Sequence, residues 1–184
     1  MNPIPTLKAL LVTYFNDGIT GYQPTPESAP INIPSFATWG SLGVYTDDVP
    51  STLEDGKKPP AAGPDVVIYQ SEDSKTHYPN DIHRWKCPVA FDLTLPGDTT
   101  PENATLYWEE MVALLMGTLH ADEPDEQVRA PLTTRLNILS GDEGTIFVQD
   151  VIDWKVKEQF TQLESGGLTR SISATFIVEN RTPP

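Results

Sequence analysis

The sequence predicts an α+β domain: a mostly antiparallel sheet, mixed if a helical crossover returns in parallel, with a long helix packed across one face and a short N-terminal helix. Three observations predict it. The run "RWKCPVAFDLTL" alternates apolar and polar residues, the signature of a half-buried strand. The run that follows, "TPENATLYWEEMVALLMGTLH", carries an apolar stripe at helical spacing. Toward the C terminus, short alternating runs are separated by "GDEG" and "ESGG", which are turn signals.

In chain order, Leu7, Leu10, Leu11, Tyr14 and Phe15 fall at i, i+3, i+4, i+7 and i+8, a helical stripe with Thr6 as its expected N-cap. The helix should stop at Asn16-Asp17-Gly18, where glycine supplies a left-handed cap. About ten residues of helix are marginal alone, so this one must dock. Residues 19–65 are Pro- and Gly-rich, yet Ile31, Ile33, Phe36, Trp39, Leu42, Val44 and Tyr45 are too apolar for a solvated linker. The expectation is an ordered excursion with a short strand pair at 39–46, resting on the domain or on a neighbour.

"DVVIYQ" reads as a short buried strand. In the long strand, Trp85, Cys87, Val89, Phe91, Leu93 and Leu95 share one face; Lys86, Pro88, Ala90, Asp92 and Thr94 share the other. Pro88 cannot donate to a ladder, so the strand should be at an edge or bulged there. Thr100 is the expected N-cap of the long helix, Pro101 suits its first position, and Glu102 complements its dipole. Ala104, Tyr107, Trp108, Met111, Leu114, Leu115 and Leu119 form its apolar face, over roughly 19 residues.

Three strands are expected to close the chain as a meander, at 134–140, 145–160 and 169–180. In the second, Ile152, Trp154 and Val156 are expected to share one face. Its length suggests a hairpin reaching past the core, with an outer edge able to pair with another chain.

With 184 residues, 38% of them hydrophobic, the chain suffices for a single domain over residues 1–184. No run approaches the roughly 18 apolar residues of a membrane span. "MNPIPTLKAL" lacks the pattern of a signal peptide, so the protein is expected to stay where it is made. Cys87 is the one cysteine; on a buried strand face it reads as a small core residue, not a reactive thiol.

Net charge is −14, which argues against conventional nucleic-acid binding through basic patches. Ten carboxylates lie between Asp98 and Glu143, opposed by Arg129 and Arg135 alone. Such an excess reads either as a solvated face or as a surface that meets a polyanion without adhering to it.

No catalytic pattern stands out. His77 and His83 lie near Asp73 and Asp81 but match no metal-ligand spacing; His120 is isolated. There is no G-x-S-x-G, and "ESGGL" opens a strand where a phosphate cradle would open a helix. Glu109 and Glu110, adjacent on a helix, diverge by about 100° and cannot face one substrate as an acid/base pair. No enzyme activity, cofactor or metal is expected. Trp85, Trp108 and Trp154 fall on core faces, leaving Trp39 as the candidate partner contact.

The order of a short N-terminal helix, a "DVVIYQ" strand, the long "KCPVAFDLTL" strand, the "NATLYWEEMVALLMGTL" helix and a β meander ending "RSISATFIVEN" resembles the tail terminator, or tail completion, proteins of long-tailed bacteriophages and related neck proteins. The likeness covers residues 1–15 and 65–180. It implies a structural virion protein without enzyme activity: a homo-oligomeric, hexameric ring in the tail-neck region. Such a ring terminates the tail tube, joins it to the head connector and passes DNA without specific binding. It implies assembly in the host cytoplasm and no membrane. On that reading, Asp122, Glu123, Asp125, Glu126, Asp142 and Glu143 are expected on or near the channel, where Coulomb repulsion keeps DNA sliding. Another head-tail connector, tail tube or capsid accessory role stays open beside it, as does a cellular binding domain.

Overall fold

The structure is a computed structural model that describes residues 2–23, 25–27, 30–33, 43–46, 64–71, 84–116, 131–141 and 144–181. Helix α1 spans Ile4–Asp17. It begins earlier than Thr6 because Asn2 Oδ1 accepts from the Ile4 N–H at 3.1 Å, so Asn2 supplies the capping acceptor and Thr6 is an exposed first-turn residue. The helix ends where expected: Gly18 has φ 59°, and its N–H donates to Tyr14 O at 3.1 Å.

The excursion adds structure to the domain. Strands β1 (Ile19–Tyr22) and β2 (Ile31–Ile33) pair antiparallel as a separate two-stranded sheet. Strand β3 (Gly43–Thr46) runs parallel to β4 (Asp65–Gln70), with Gly43 opposite Asp65 and Thr46 opposite Ile68. In place of a strand pair at 39–46, the described part of that stretch is one strand of the main sheet; Trp39 lies outside the described residues.

Strand β5 (Arg84–Leu95) lies between β4 and β8 (Leu168–Asn180), antiparallel to both. Strand β6 (Ile146–Val156) follows β8, and the two-residue β7 (Thr161–Gln162) pairs with the start of β8. The six-stranded sheet thus has the order β3-β4-β5-β8-β6, mostly antiparallel with one parallel pair at β3–β4. Pro88 sits at the last rung toward β4: the Ser71 N–H donates to Pro88 O at 3.2 Å, so the missing proline donor falls where that ladder ends. On the β8 side the register runs through Pro88 without a bulge.

One face of the sheet builds the core. Val66, Ile68, Cys87, Val89, Phe91, Leu93, Leu95, Ile172, Ala174, Phe176 and Val178 are paired across strands on that face, and all are buried. Phe15, Phe91 and Phe176 stack along it, with centroids 5.8 and 6.2 Å apart. All three helices contribute to the same cluster. Helix α2 (Pro101–Leu115) presents Ala104, Trp108, Met111, Leu114 and Leu115; its Thr100 side chain accepts from the Asn103 N–H at 3.3 Å, the expected cap. It has 15 described residues against about 19 expected; Leu119 lies outside them.

Three expectations are corrected. Residues 134–140 are not a strand but belong to helix α3 (Leu132–Ser140). Leu132, Leu136 and Leu139 recur at i, i+4 and i+7 and turn one side of the segment into the core, overriding the strand preference of its Thr and Ile residues. "GDEG" is therefore the passage from α3 to β6, not a hairpin turn. It opens with Gly141 at φ 69°, whose N–H donates to Asn137 O at 3.1 Å.

The β6 strand does not reach past the core either, because β8 is paired with β5 from Leu168 to Glu179 and β6 runs alongside. Two register shifts, between Val148 and Asp150 and between Ile152 and Lys155, break its alternation. Val151 and Trp154 then pack on the core, Ile152 pairs with Thr175 on the opposite face, and Val156 is 41% exposed. The second hairpin signal holds: the turn between β7 and β8 has Gly166 at φ 89° and a Leu163 N–H to Gly167 O bond of 2.8 Å.

Candidate functional site

The acidic residues predicted to face a channel, Asp122, Glu123, Asp125, Glu126, Asp142 and Glu143, lie outside the described residues, as do Trp39, His77, His83 and His120. The structure neither gathers nor separates them. It does locate the charge. The described residues hold thirteen acidic side chains and eight basic ones, so most of the net −14 belongs to the remaining segments. Arg135, one of the two bases set against the ten carboxylates between Asp98 and Glu143, is only 1% exposed. It is spent inside the fold and cannot offset a surface.

Arg135 closes a junction of three helices. Its Nη1 donates to the Tyr14 hydroxyl and, at 2.9 Å, to Leu114 O; the Tyr14 O–H donates to the same carbonyl at 2.7 Å. Leu114 is in the last turn of α2, whose carbonyls have no partner within the helix. A cation there complements the negative helix end. Its guanidinium carbon lies 5.5 Å from the Tyr14 ring centroid. Burial pushes the Tyr14 phenol up to about 12, against the lowering effect of Arg135, with the Glu110 charge adding to the rise. A phenol held neutral in this way is a clamp and a poor base. Burial also raises the Glu110 carboxyl and lowers the Arg135 guanidinium. Sequence reading missed the junction, because Arg135 was counted as surface charge; the signal for its burial was its place beside Leu132 and Leu136 on the helical stripe.

A second cluster surrounds Arg170. Its guanidinium lies 4.0 Å from the Trp108 ring centroid and 5.6 Å from that of Phe160, and its Nε donates to Lys157 O at 2.8 Å. It joins α2 to the far end of the β6–β8 hairpin, again as architecture.

The third feature is the outer edge of β6. Arg181 N–H donates to Thr145 O at 2.8 Å, which sets a ladder rung toward β8 and turns the backbone of Ile146 and Val148 outward. Helix α3 meets them there. Asn137 Nδ2 donates to Val148 O, and the Val148 N–H donates to Asn137 Oδ1, both at 2.8 Å; Ser140 Oγ donates to Ile146 O at 3.1 Å. The next outward amide, Val151 N–H, donates to Asp150 Oδ1 at 2.8 Å. The expectation of an edge open to another chain is therefore corrected at Ile146 O, at both backbone groups of Val148 and at the Val151 N–H, which side chains already occupy. Thr134, Asn137, Ile138, Gly141 and Phe147 line a shallow, open depression of about 520 Å³ beside the contact.

Cys87 is fully buried and burial pushes its thiol up to about 12, consistent with a packing residue. Among the described residues no group of three or more His, Cys, Asp or Glu side chains could hold a metal ion, and no helix is long and apolar enough to cross a membrane. What the described side chains form is a set of clamps between elements. No protein-family model matches the chain, and no curated protein matches it.

Proposed function

We propose that the chain is a structural virion protein, the subunit of a hexameric ring that terminates a phage tail tube and joins it to the head connector, with DNA passing through an acidic channel. Two lines support the reading: the resemblance read from the sequence over residues 1–15 and 65–180, which holds for α1, β4, β5, α2 and β8 and departs at helix α3 where a meander strand was expected, and the distribution of charge. The observation that carries it is the burial of Arg135, which leaves the carboxylate-rich stretch from Asp98 to Glu143 with Arg129 as its one remaining counter-charge that could reach a surface. An acidic wall repels the DNA backbone over a screening length of about 8 Å at physiological salt. Repulsion without sites for adhesion is what a conduit for a polyanion requires.

Replacing Asp122, Glu123, Asp125 and Glu126 with Lys tests the channel. Ring assembly should be retained, while genome ejection slows or infectivity falls at least tenfold. Unchanged infectivity in particles that carry the variant contradicts the channel assignment.

A further inference from the structure

We propose that Asn137 and Ser140 form a plug that closes the β6 edge to strand addition, and that the strand they exclude is the β6 edge of a second copy of this chain. The proposal rests on the edge geometry and is independent of the ring reading.

An unpaired strand edge is a template for another chain. Here three of the outward groups, the Ile146 C=O and the Val148 N–H and C=O, are each held by a side chain of α3. The Asn137 carboxamide offers one acceptor and one donor to the two groups of a single residue, so it reproduces the rung that an incoming strand would supply. A residue that presents both N–H and C=O outward can pair with the same residue of a second copy across a two-fold axis, each donating to the other. Val148 is such a residue, and its edge is self-complementary.

The plug is an element that can yield. Helix α3 has nine residues, no side-chain N-cap, no acidic residue in its first turn and no basic residue in its last. Thr133, Thr134 and Ile138 add β-branched residues that lower helix propensity. Its core side, Leu132, Arg135 and Leu136, holds it in place; its edge side, Asn137 and Ser140, does the blocking.

The test compares Asn137→Ala with the unsubstituted chain by light scattering over a concentration series, alongside amide hydrogen exchange. In dilute solution the Val148 amide should exchange at least tenfold faster in the variant. As concentration rises, the variant's mass should climb to at least twice that of the unsubstituted chain at equal concentration, and the Val148 amide should become protected again. Fast exchange at Val148 with no excess mass overturns the proposal, as does exchange that the substitution leaves unchanged. Asn137→Leu keeps the side-chain bulk and removes both polar groups that cap Val148, so it serves if the alanine variant does not fold. It should show the same rise in mass, and a folded leucine variant without that rise also overturns the proposal. Failure of the ring reading would show in the unsubstituted chain instead.

Discussion

Tyr14 and Arg135 show how a residue's neighbours decide its role. Either side chain on a surface would be unremarkable; buried together against the Leu114 carbonyl, they tie α1, α2 and α3 to one point. Tyr14→Phe removes one hydrogen bond to that carbonyl and the acceptor for Arg135. It should destabilise the fold by about 1–3 kcal/mol, read from the urea midpoint. The same residue sets a pH dependence. Its folded pKa is raised to about 12 from 10.0, so the folded state favours the protonated phenol. The resulting contribution is complete below pH 10 and is lost as pH rises from 10 toward 12. That loss should amount to about 2–3 kcal/mol over the interval. In Tyr14→Phe the decline in stability over the same window should be shallower by a similar amount; an identical decline would remove Tyr14 as its source.

At the scale of elements, two turns meet backbone to backbone. A Cβ on Gly97, in the turn from β5 to α2, would lie 2.3 Å from the Gly166 carbonyl oxygen in the turn from β7 to β8. The obstacle is backbone, so it cannot rotate away. Gly97→Ala should cost about 2–3 kcal/mol by forcing the two turns apart, seen as a lower denaturation midpoint. A midpoint within about 0.5 kcal/mol of the unsubstituted chain would show that the turns separate freely.

The elements also differ in how far the sequence reveals them. The long strand, the α2 cap at Thr100 and the left-handed Gly18 were legible, because each depends on residues adjacent in sequence. Helix α3 was not. Its Thr and Ile residues favour a strand locally, and only docking of Leu132, Arg135 and Leu136 against the core makes it helical. The two shifts in β6 were hidden for a related reason: a bulge is fixed by pairing with β8, which no local pattern encodes. The plug on the β6 edge depends on both, so Asn137 and Ser140 carried no signal.

For the whole molecule, the arrangement is a sheet with three helices against one face and its core built from that face. The described residues hold thirteen acidic and eight basic side chains, so the greater part of the net −14 belongs to the remaining residues. An acidic surplus concentrated outside the described residues is what the proposed subunit, acting by position and background field, would use. The composition made that surplus legible. How the carboxylates would come together in the proposed ring was not legible, because a ring's contacts between copies are not written in any local sequence pattern.

Electron microscopy of the purified protein, alone and mixed with isolated tails that lack a terminator, tests this account most directly. The expected result is a six-fold ring, formed either in solution or on the end of the tail tube. A chain that stays monomeric in both preparations and leaves tail ends bare would contradict it.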